Sequence, residues 1–476
     1  MSNLELSQGQ PSSGGPALTR SRAGFRAAYR YLGFGYLRDL RWIILVGLTV
    51  RFILLPLSAH PWDDYVWYIT GNQMYSGSGL YGGASYTYSY PPVWGGFLYV
   101  TDGLYRLLAG SVGAHPLMGS VVNGYYGSQG NLGAPIVVDW LFVTLTKLPL
   151  VLFDLLTTLL ICRLVRQRLE RPELGVFTAG LFFLNPYIIL ISSVWGQFDV
   201  IATYLLLLGL LLFLDHHPWI SGIVLGVSVA TKYFPIVVFV IVAVTLYRRE
   251  NRSEILRALI SLGSTLVAIS LPFLLLSGPA FISGVTGPSR GNPTAGTLSV
   301  WGSLAAVAPS ALSTSEWITP VLLGAIAVAT LALGLGLQRR NRTDNDSTMW
   351  IEAAVLSLLC FYALYRTVNI QYLVWIFPFI TLDVARRRAT HWWYVWFSGL
   401  SILLVADAVF SVRGTSFFLP AVTISRSFVS VFPLFKLPDL TVPLALVTAV
   451  LILAMLFARL FQLLRGNAHS RLNSPS

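Results

Sequence analysis

His60–Gly95 reads HPWDDYVWYITGNQMYSGSGLYGGASYTYSYPPVWG. The stretch follows the first apolar span and lies outside any span. It opens with adjacent acids, Asp63 and Asp64, and closes with aromatics running into Pro91 and Pro92. Asp and Glu together number 20 in 476 residues, so two side by side at a membrane boundary call for a reason. One reason is a solvated turn. The other is chemistry.

The composition fixes the setting. The chain is 55% hydrophobic and 11% charged, with a mean hydropathy of +0.67. Soluble domains are about one quarter charged. Spans of about 20 apolar residues repeat along the chain, as in a multi-pass membrane protein. The net charge of +12 does not indicate nucleic acid, because Lys and Arg fall mostly in short clusters between spans. That pattern sets orientation in a bilayer. Cys162 and Cys360 each lie inside an apolar span, so a disulfide framework is not expected.

The expected fold is all-α and polytopic, with about 12 transmembrane helices and both termini in the cytoplasm. Residues 1–40 form a disordered, basic N-terminus carrying Arg20, Arg22, Arg26, Arg30 and Arg38. Residues 41–464 form the membrane domain, and 465–476 a cytoplasmic tail. The first outer loop, 59–138, is long and holds no run of 18 apolar residues. Tyr65 to Tyr75 and Val93 to Leu108 read as amphipathic helices lying in the interface. Trp219 to Tyr247 is long for one span and must run from Asp215-His216-His217 on the inner side to the basic cluster Arg248, Arg249 and Arg252 on the same side. Two short helices breaking at Lys232-Tyr233-Phe234-Pro235 solve the parity.

Charges within or beside spans are costly and mark candidate sites. Lys147 and Asp154, seven apart in the second span, share one helix face. They could be an ion pair joining helices, or Lys147 could face an anionic ligand. Asp199 opens the fourth span in Trp195-Gly196-Gln197-Phe198-Asp199, where the helix dipole favours a carboxylate. Gln197 and Asn185 make the same region able to bind sugar hydroxyls. Lys232 sits at a broken-helix tip, where irregular backbone is tolerated if it lines a cavity. A point charge there suits a phosphate, although a snorkelling lysine would look the same. Arg290, Arg366, Gln371 and Tyr372 add polar groups on the outer side. If Tyr65 to Tyr75 is a helix, Asp64 becomes its N-cap. No metal-ligand spacing is present, the His are scattered, and no phosphate-binding Gly loop occurs.

Together these residues resemble the polyprenyl- or dolichyl-phosphate-sugar-dependent glycosyltransferases of the GT-C class, including the GPI-anchor mannosyltransferases. Three features carry the resemblance: Asp63-Asp64-Tyr65 with Tyr88-Ser89-Tyr90-Pro91-Pro92; Asn185-Pro186 through Asp199 and on to Lys232-Tyr233-Phe234-Pro235; and Lys147-Leu148-Pro149 with Asp154. They cover roughly residues 40 to 250. The GPI-anchor enzymes carry Asp-x-Asp before the Tyr, where this chain has Trp62-Asp63-Asp64.

The resemblance implies a hexosyltransferase, with mannose as the expected sugar. The sugar passes from a lipid phosphate to an outer or lumenal glycan or glycolipid acceptor, with inversion. A loop carboxylate, Asp64 in preference to Asp63, is the implied base. Lys232, Lys147, Tyr88, Tyr90, Gln197, Asp199, Arg290, Arg366, Gln371 and Tyr372 are the implied substrate contacts. It implies no metal or other cofactor, membrane lipids as partners, and a plasma-membrane or endoplasmic-reticulum location. The alternatives from the residues themselves are a transporter or lipid-linked sugar flippase, or a non-catalytic scaffold.

Overall fold

The computed structural model describes residues 31–58, 60–82, 88–112, 117–118, 136–137, 140–286, 298–307, 318–344, 348–387, 390–410 and 440–472. The described chain is helical apart from one antiparallel ladder. In it β1 (Leu117–Met118) pairs with β2 (Ile136–Val137), Leu117 opposite Val137. Helix is the expected answer for apolar spans, because lipid offers no partner to a backbone N–H or C=O.

Helix α1 (Arg41–Leu54) continues into a 3-10 turn, Leu55–Leu57. The outer segment supplies α2 (Pro61–Tyr75) and α3 (Pro92–Val112). Each starts at a proline, where a missing N–H costs nothing. Next come α4 (Trp140–Gln167), α5 (Gly175–Phe183) and α6 (Pro186–Ile189), the last running into a π-helical turn at Leu190–Trp195. They are followed by α7 (Asp199–Leu214), α8 (Pro218–Val229) and α9 (Pro235–Thr245). The remaining helices are α10 (Arg252–Thr286), α11 (Val300–Val307), α12 (Ile318–Asp344), α13 (Met349–Leu364), α14 (Phe377–Arg386), α15 (His391–Phe410) and α16 (Thr441–Leu472).

The break expected at Lys232–Pro235 is present between α8 and α9. Among the described residues five helices are long and apolar enough to cross a bilayer. A sixth crossing arises if the segment Pro172–Phe183 and Pro186–Trp195, bent by 46°, counts as one. Length alone gives fewer crossings than the expected twelve because α7, α8, α9 and α13 are short apolar helices.

The interior consists of two apolar masses. The larger runs through α4, α7, α9, α13 and α14. The smaller joins the outer segment to the bundle. Trp67 of α2 meets Trp94 of α3 edge-on at 5.7 Å, and Trp94 stacks on Phe198 at 4.8 Å. Trp67 also meets Phe198 edge-on at 5.7 Å, so α2 packs on both α3 and the bundle. By contrast α3 keeps an exposed apolar stripe at Val100, Leu104 and Leu107.

The N-cap expectation for Asp64 needs correcting. Helix α2 starts four residues earlier than the sequence reading, and its N-cap is His60, whose ring accepts the Asp63 N–H at 3.0 Å. The reason is Pro61: its fixed φ suits the first helical position and draws the start upstream.

Among the described residues, arginines from several inter-span clusters are held in ion pairs. Arg163 and Arg168 pair with Asp215, Arg163 at 3.4 Å. Arg459 of α16 bridges Glu352 of α13 at 3.0 Å and Asp383 of α14 at 2.6 Å. Such buried networks fasten helices with a register, since an unpaired charge there is strongly penalised.

Candidate active site

The site lies where α2, the start of α4, the π-helical turn and the α8–α9 break meet. The π turn opens the backbone, so that both Gly196 N–H and Gln197 N–H donate to the Ile191 carbonyl, at 3.0 and 3.1 Å. Wide turns of this kind are frequent at functional sites. Gly196 closes the turn at φ 85°, in the left-handed region. A Cβ there would lie 3.3 Å from Lys147 Cε and 3.8 Å from Asp64 Oδ1. The backbone passes through the narrow space beside the Lys147 side chain and the Asp64 carboxyl in a left-handed conformation that only glycine adopts without strain.

The turn aims two side chains at Asp63. Trp195 Nε1 donates to Asp63 Oδ2 at 2.8 Å, and Gln197 Nε2 donates to the same oxygen at 2.5 Å. The His60 ring stacks on Trp195, centroids 5.0 Å apart and planes within 6°. Burial holds the His60 imidazole below its ordinary pKa. A neutral ring with Nδ1 as acceptor fits its bond from the Asp63 N–H. The 3.2 Å approach of that nitrogen to Asp63 Oδ2 is then a contact and not an ion pair.

The two acids are not equivalent. The Asp63 side chain is 18% exposed, whereas Asp64 is fully buried. Neither carboxylate oxygen of Asp64 has a hydrogen-bond partner. Burial pushes its carboxyl up to about 7; Lys147 pulls the other way, and Asp63 adds to the rise. Lys147 itself donates to the Ser58 carbonyl and approaches Ser58 Oγ at 3.4 Å.

Lys147 and Asp154 do share a face of α4, yet they do not pair with each other. Asp154 Oδ2 accepts from Arg51 Nε at 3.0 Å and from Ser192 Oγ at 2.6 Å. Seven residues of helix is about 10 Å, beyond pairing distance. Arg51 and Ser58 also stand seven apart, and they meet Asp154 and Lys147 respectively.

Lys232 is 5% exposed and lies 3.5 Å from Asp199 Oδ1. Its ammonium faces three rings: Phe198 at 4.5 Å, Tyr90 at 4.7 Å and Tyr372 at 5.2 Å. Asp63 also lies within electrostatic range of it. No acid stands near Lys232 in sequence, and the fold supplies one from another helix. Trp375, absent from the sequence-based candidates, donates Nε1–H to Asp199 Oδ1 at 2.7 Å. It is held between Phe234 at 3.9 Å and Tyr372 at 4.3 Å. The signal was its position in Gln371-Tyr372-Leu373-Val374-Trp375, four residues from Gln371, but nothing local says that an indole there reaches Asp199.

The structure therefore brings together Asp63, Asp64, Tyr90, Lys147, Gln197, Asp199, Lys232 and Tyr372. Tyr88 is fully buried in the outer core, its hydroxyl donating to the Pro91 carbonyl at 3.2 Å. Arg366 and Gln371 are buried in the turn that carries Tyr372; the Arg366 carbonyl accepts from Ser299 Oγ at 2.9 Å. Asn185 caps α6 and donates to Tyr394 and Ser398, so its amide is spent on packing. Arg290 lies outside the described residues. Among the described residues no group of three or more His, Cys, Asp or Glu is placed to hold a metal ion.

The fold and the site define a multi-pass membrane protein with a buried acid–lysine cluster under a packed outer helix. Residues 134–364 match the sequence model of glycosyltransferase family 87. That segment includes Lys147, Gln197, Asp199 and Lys232, and it excludes Asp63 and Asp64. GPI mannosyltransferase 1 of Saccharomyces cerevisiae is 28% identical over 145 residues, 28% of this chain and 36% of that protein. GPI mannosyltransferase 1 of Kluyveromyces lactis is 26% identical over 132 residues, 28% of this chain and 32% of that protein. The chain thus spans about a third of the length of these curated relatives. These matches bear out the resemblance to GT-C-like mannosyltransferases.

Proposed function

We propose that this protein is an integral membrane glycosyltransferase. In this reading it moves a hexose, mannose by analogy with its relatives' names, from a polyprenyl- or dolichyl-phosphate carrier to an outer-face glycan or glycolipid acceptor. One observation carries the reading: a partly exposed carboxylate, Asp63, is held by Trp195 and Gln197 within electrostatic range of the buried cation Lys232. Base and phosphate-binding group stand at one site, as a transfer from a lipid phosphate needs.

In the step, the acceptor oxygen attacks the anomeric carbon while the bond from that carbon to the phosphate oxygen breaks. The bonding pair leaves with the phosphate, the acceptor proton passes to Asp63, and the anomeric centre inverts. Lys232 stabilises the charge developing on the phosphate, in a water-poor site where a fixed charge counts most. The sequence favoured Asp64 as base. We assign the role to Asp63, because a base must come within about 2.6–3.2 Å of the acceptor hydroxyl and Asp64 is sealed from solvent. Asp64 instead lies buried within electrostatic range of Lys147.

The test is transfer by purified protein from labelled polyprenyl-phosphate hexoses to an acceptor panel. Asp63→Asn is expected to lower kcat by about 10²–10⁴ with donor binding retained. Normal turnover in Asp63→Asn with a dead Asp64→Asn would return the role to Asp64. Absence of transfer from any lipid-linked sugar would sink the enzymatic reading.

A further inference from the structure

We propose that the groove between α9, α10 and α12, beside the arginines that flank these helices, is a binding site for an anionic phospholipid. One acyl chain lies in the groove, and the phosphate sits among the arginines at its mouth. The groove encloses about 400 Å³ and is lined by Val240, Ala243, Val244 and Tyr247 of the α9 segment, Ile255 and Leu259 of α10, and Leu331, Leu335 and Gln338 of α12. It lies at the opposite end of α9 from Lys232 and is separate from the acid–lysine cluster.

The groove has a structural cause. Gly222 and Gly226 bring α8 tight against α10: a Cβ on Gly222 would sit 2.3 Å from the Ala258 carbonyl oxygen, and one on Gly226 2.7 Å from Thr265 Cβ. Gly334 does the same between α12 and α9, where a Cβ would be 2.9 Å from Val244 Cγ1. At its end α12 is fastened to α9 by Gln338 Nε2, which donates to the Tyr247 carbonyl at 2.9 Å. Helix α10 is drawn toward α8, and α12 is drawn toward α9. A gap is left where α10 and α12 face each other, walled by Leu259 and Leu335, 41% and 43% exposed.

On α9 Val240, Ala243 and Val244 recur at i, i+3 and i+4, with Tyr247 just past the helix end, and on α12 the lining residues recur at i, i+4 and i+7, so each side of the groove presents one stripe. Seven residues make a channel about 10 Å long, the scale of part of an acyl chain. A lipid tail gains little from apolarity alone here, since neighbouring tails are as apolar as Leu. Selectivity must come from the mouth. The flanking stretches carry Arg248, Arg252, Arg257, Arg339 and Arg340 against Glu250 and Glu254, of which Glu254 is paired with His216. Arg248, Arg252 and Arg339 are exposed at this end. A basic mouth over an apolar slot between helices suits a phosphate headgroup with its tail.

The test uses the full-length purified protein and native mass spectrometry, with phosphatidylglycerol and phosphatidylcholine as the two probes. Phosphatidylglycerol is expected to be retained preferentially. Arg248→Gln/Arg252→Gln/Arg339→Gln should remove that preference, at about fivefold in affinity per arginine. Leu259→Trp/Leu335→Trp, which fills the slot from two half-exposed positions, should abolish retention of both lipids while leaving the melting temperature near wild type. Equal retention of the two lipids by the wild type would overturn the proposal, as would phosphatidylglycerol binding unchanged in both variants. Displacement of phosphatidylglycerol by stoichiometric polyprenyl phosphate would overturn it too, giving the slot to the donor lipid.

Discussion

Lys232→Met tests the phosphate-binding role, but only alongside Asp199. The Lys232 ammonium lies 3.5 Å from Asp199 Oδ1, and the Asp199 side chain is fully buried. Removing the lysine alone leaves a buried charge without its partner, which typically costs about 3–5 kcal/mol of stability. The lost contacts with the rings of Phe198, Tyr90 and Tyr372 add to this, at about 0.5–2 kcal/mol for a cation over aromatic faces. The single variant is therefore expected to fold poorly, whatever Lys232 does in transfer. Lys232→Met/Asp199→Asn removes both charges and keeps an oxygen that can accept from Trp375. It should recover most of the thermal stability. If Lys232 stabilises the leaving phosphate, turnover in the double variant stays down by about 10²–10³, the usual loss of one preorganised electrostatic donor. If Lys232 only neutralises Asp199, turnover returns with stability. The assay pairs thermal unfolding in detergent with donor-saturated transfer rates. A double variant that is both stable and fully active would refute the phosphate-binding role.

Two further outcomes follow from the same geometry. The folded-state carboxyl of Asp64 is raised to about 7 from an ordinary value of 3.8, so the fold favours its protonated form. Its contribution to stability is complete at pH below about 4 and is lost as pH rises through about 7; Asp64→Asn should flatten that decline, and thermal melts at pH 5 and pH 8 that show no flattening would contradict it. Gly196→Ala places a Cβ at φ 85°, 3.3 Å from Lys147 Cε. About 1–3 kcal/mol of stability should be lost, read as a lower melting temperature; an unchanged melt would show that the turn relaxes.

The sequence by itself determined the class and the break between α8 and α9. Repeated apolar spans interrupted by Arg clusters specify a helical membrane protein, because lipid forces the backbone to satisfy itself and helices do so locally. Pro235 after Lys232 marks the helix break, since proline acts on its immediate neighbour. These are short-range effects, so they can be read along the chain. Pairing between distant side chains is not of that kind. Asp154 follows Lys147 by seven residues on one helix, about 10 Å away, so each needs a partner from elsewhere; the tertiary structure gave Asp154 to Arg51 and Ser192, and Lys147 to the Ser58 carbonyl. Trp375 reaches Asp199 across 176 positions, and no local rule links them. Asp63 and Asp64 differ by one position in the chain. Only the packing of α2 against the π-helical turn decided that one is reachable and the other sealed, because adjacent helical residues point about 100° apart and the burial of each depends on what stands opposite.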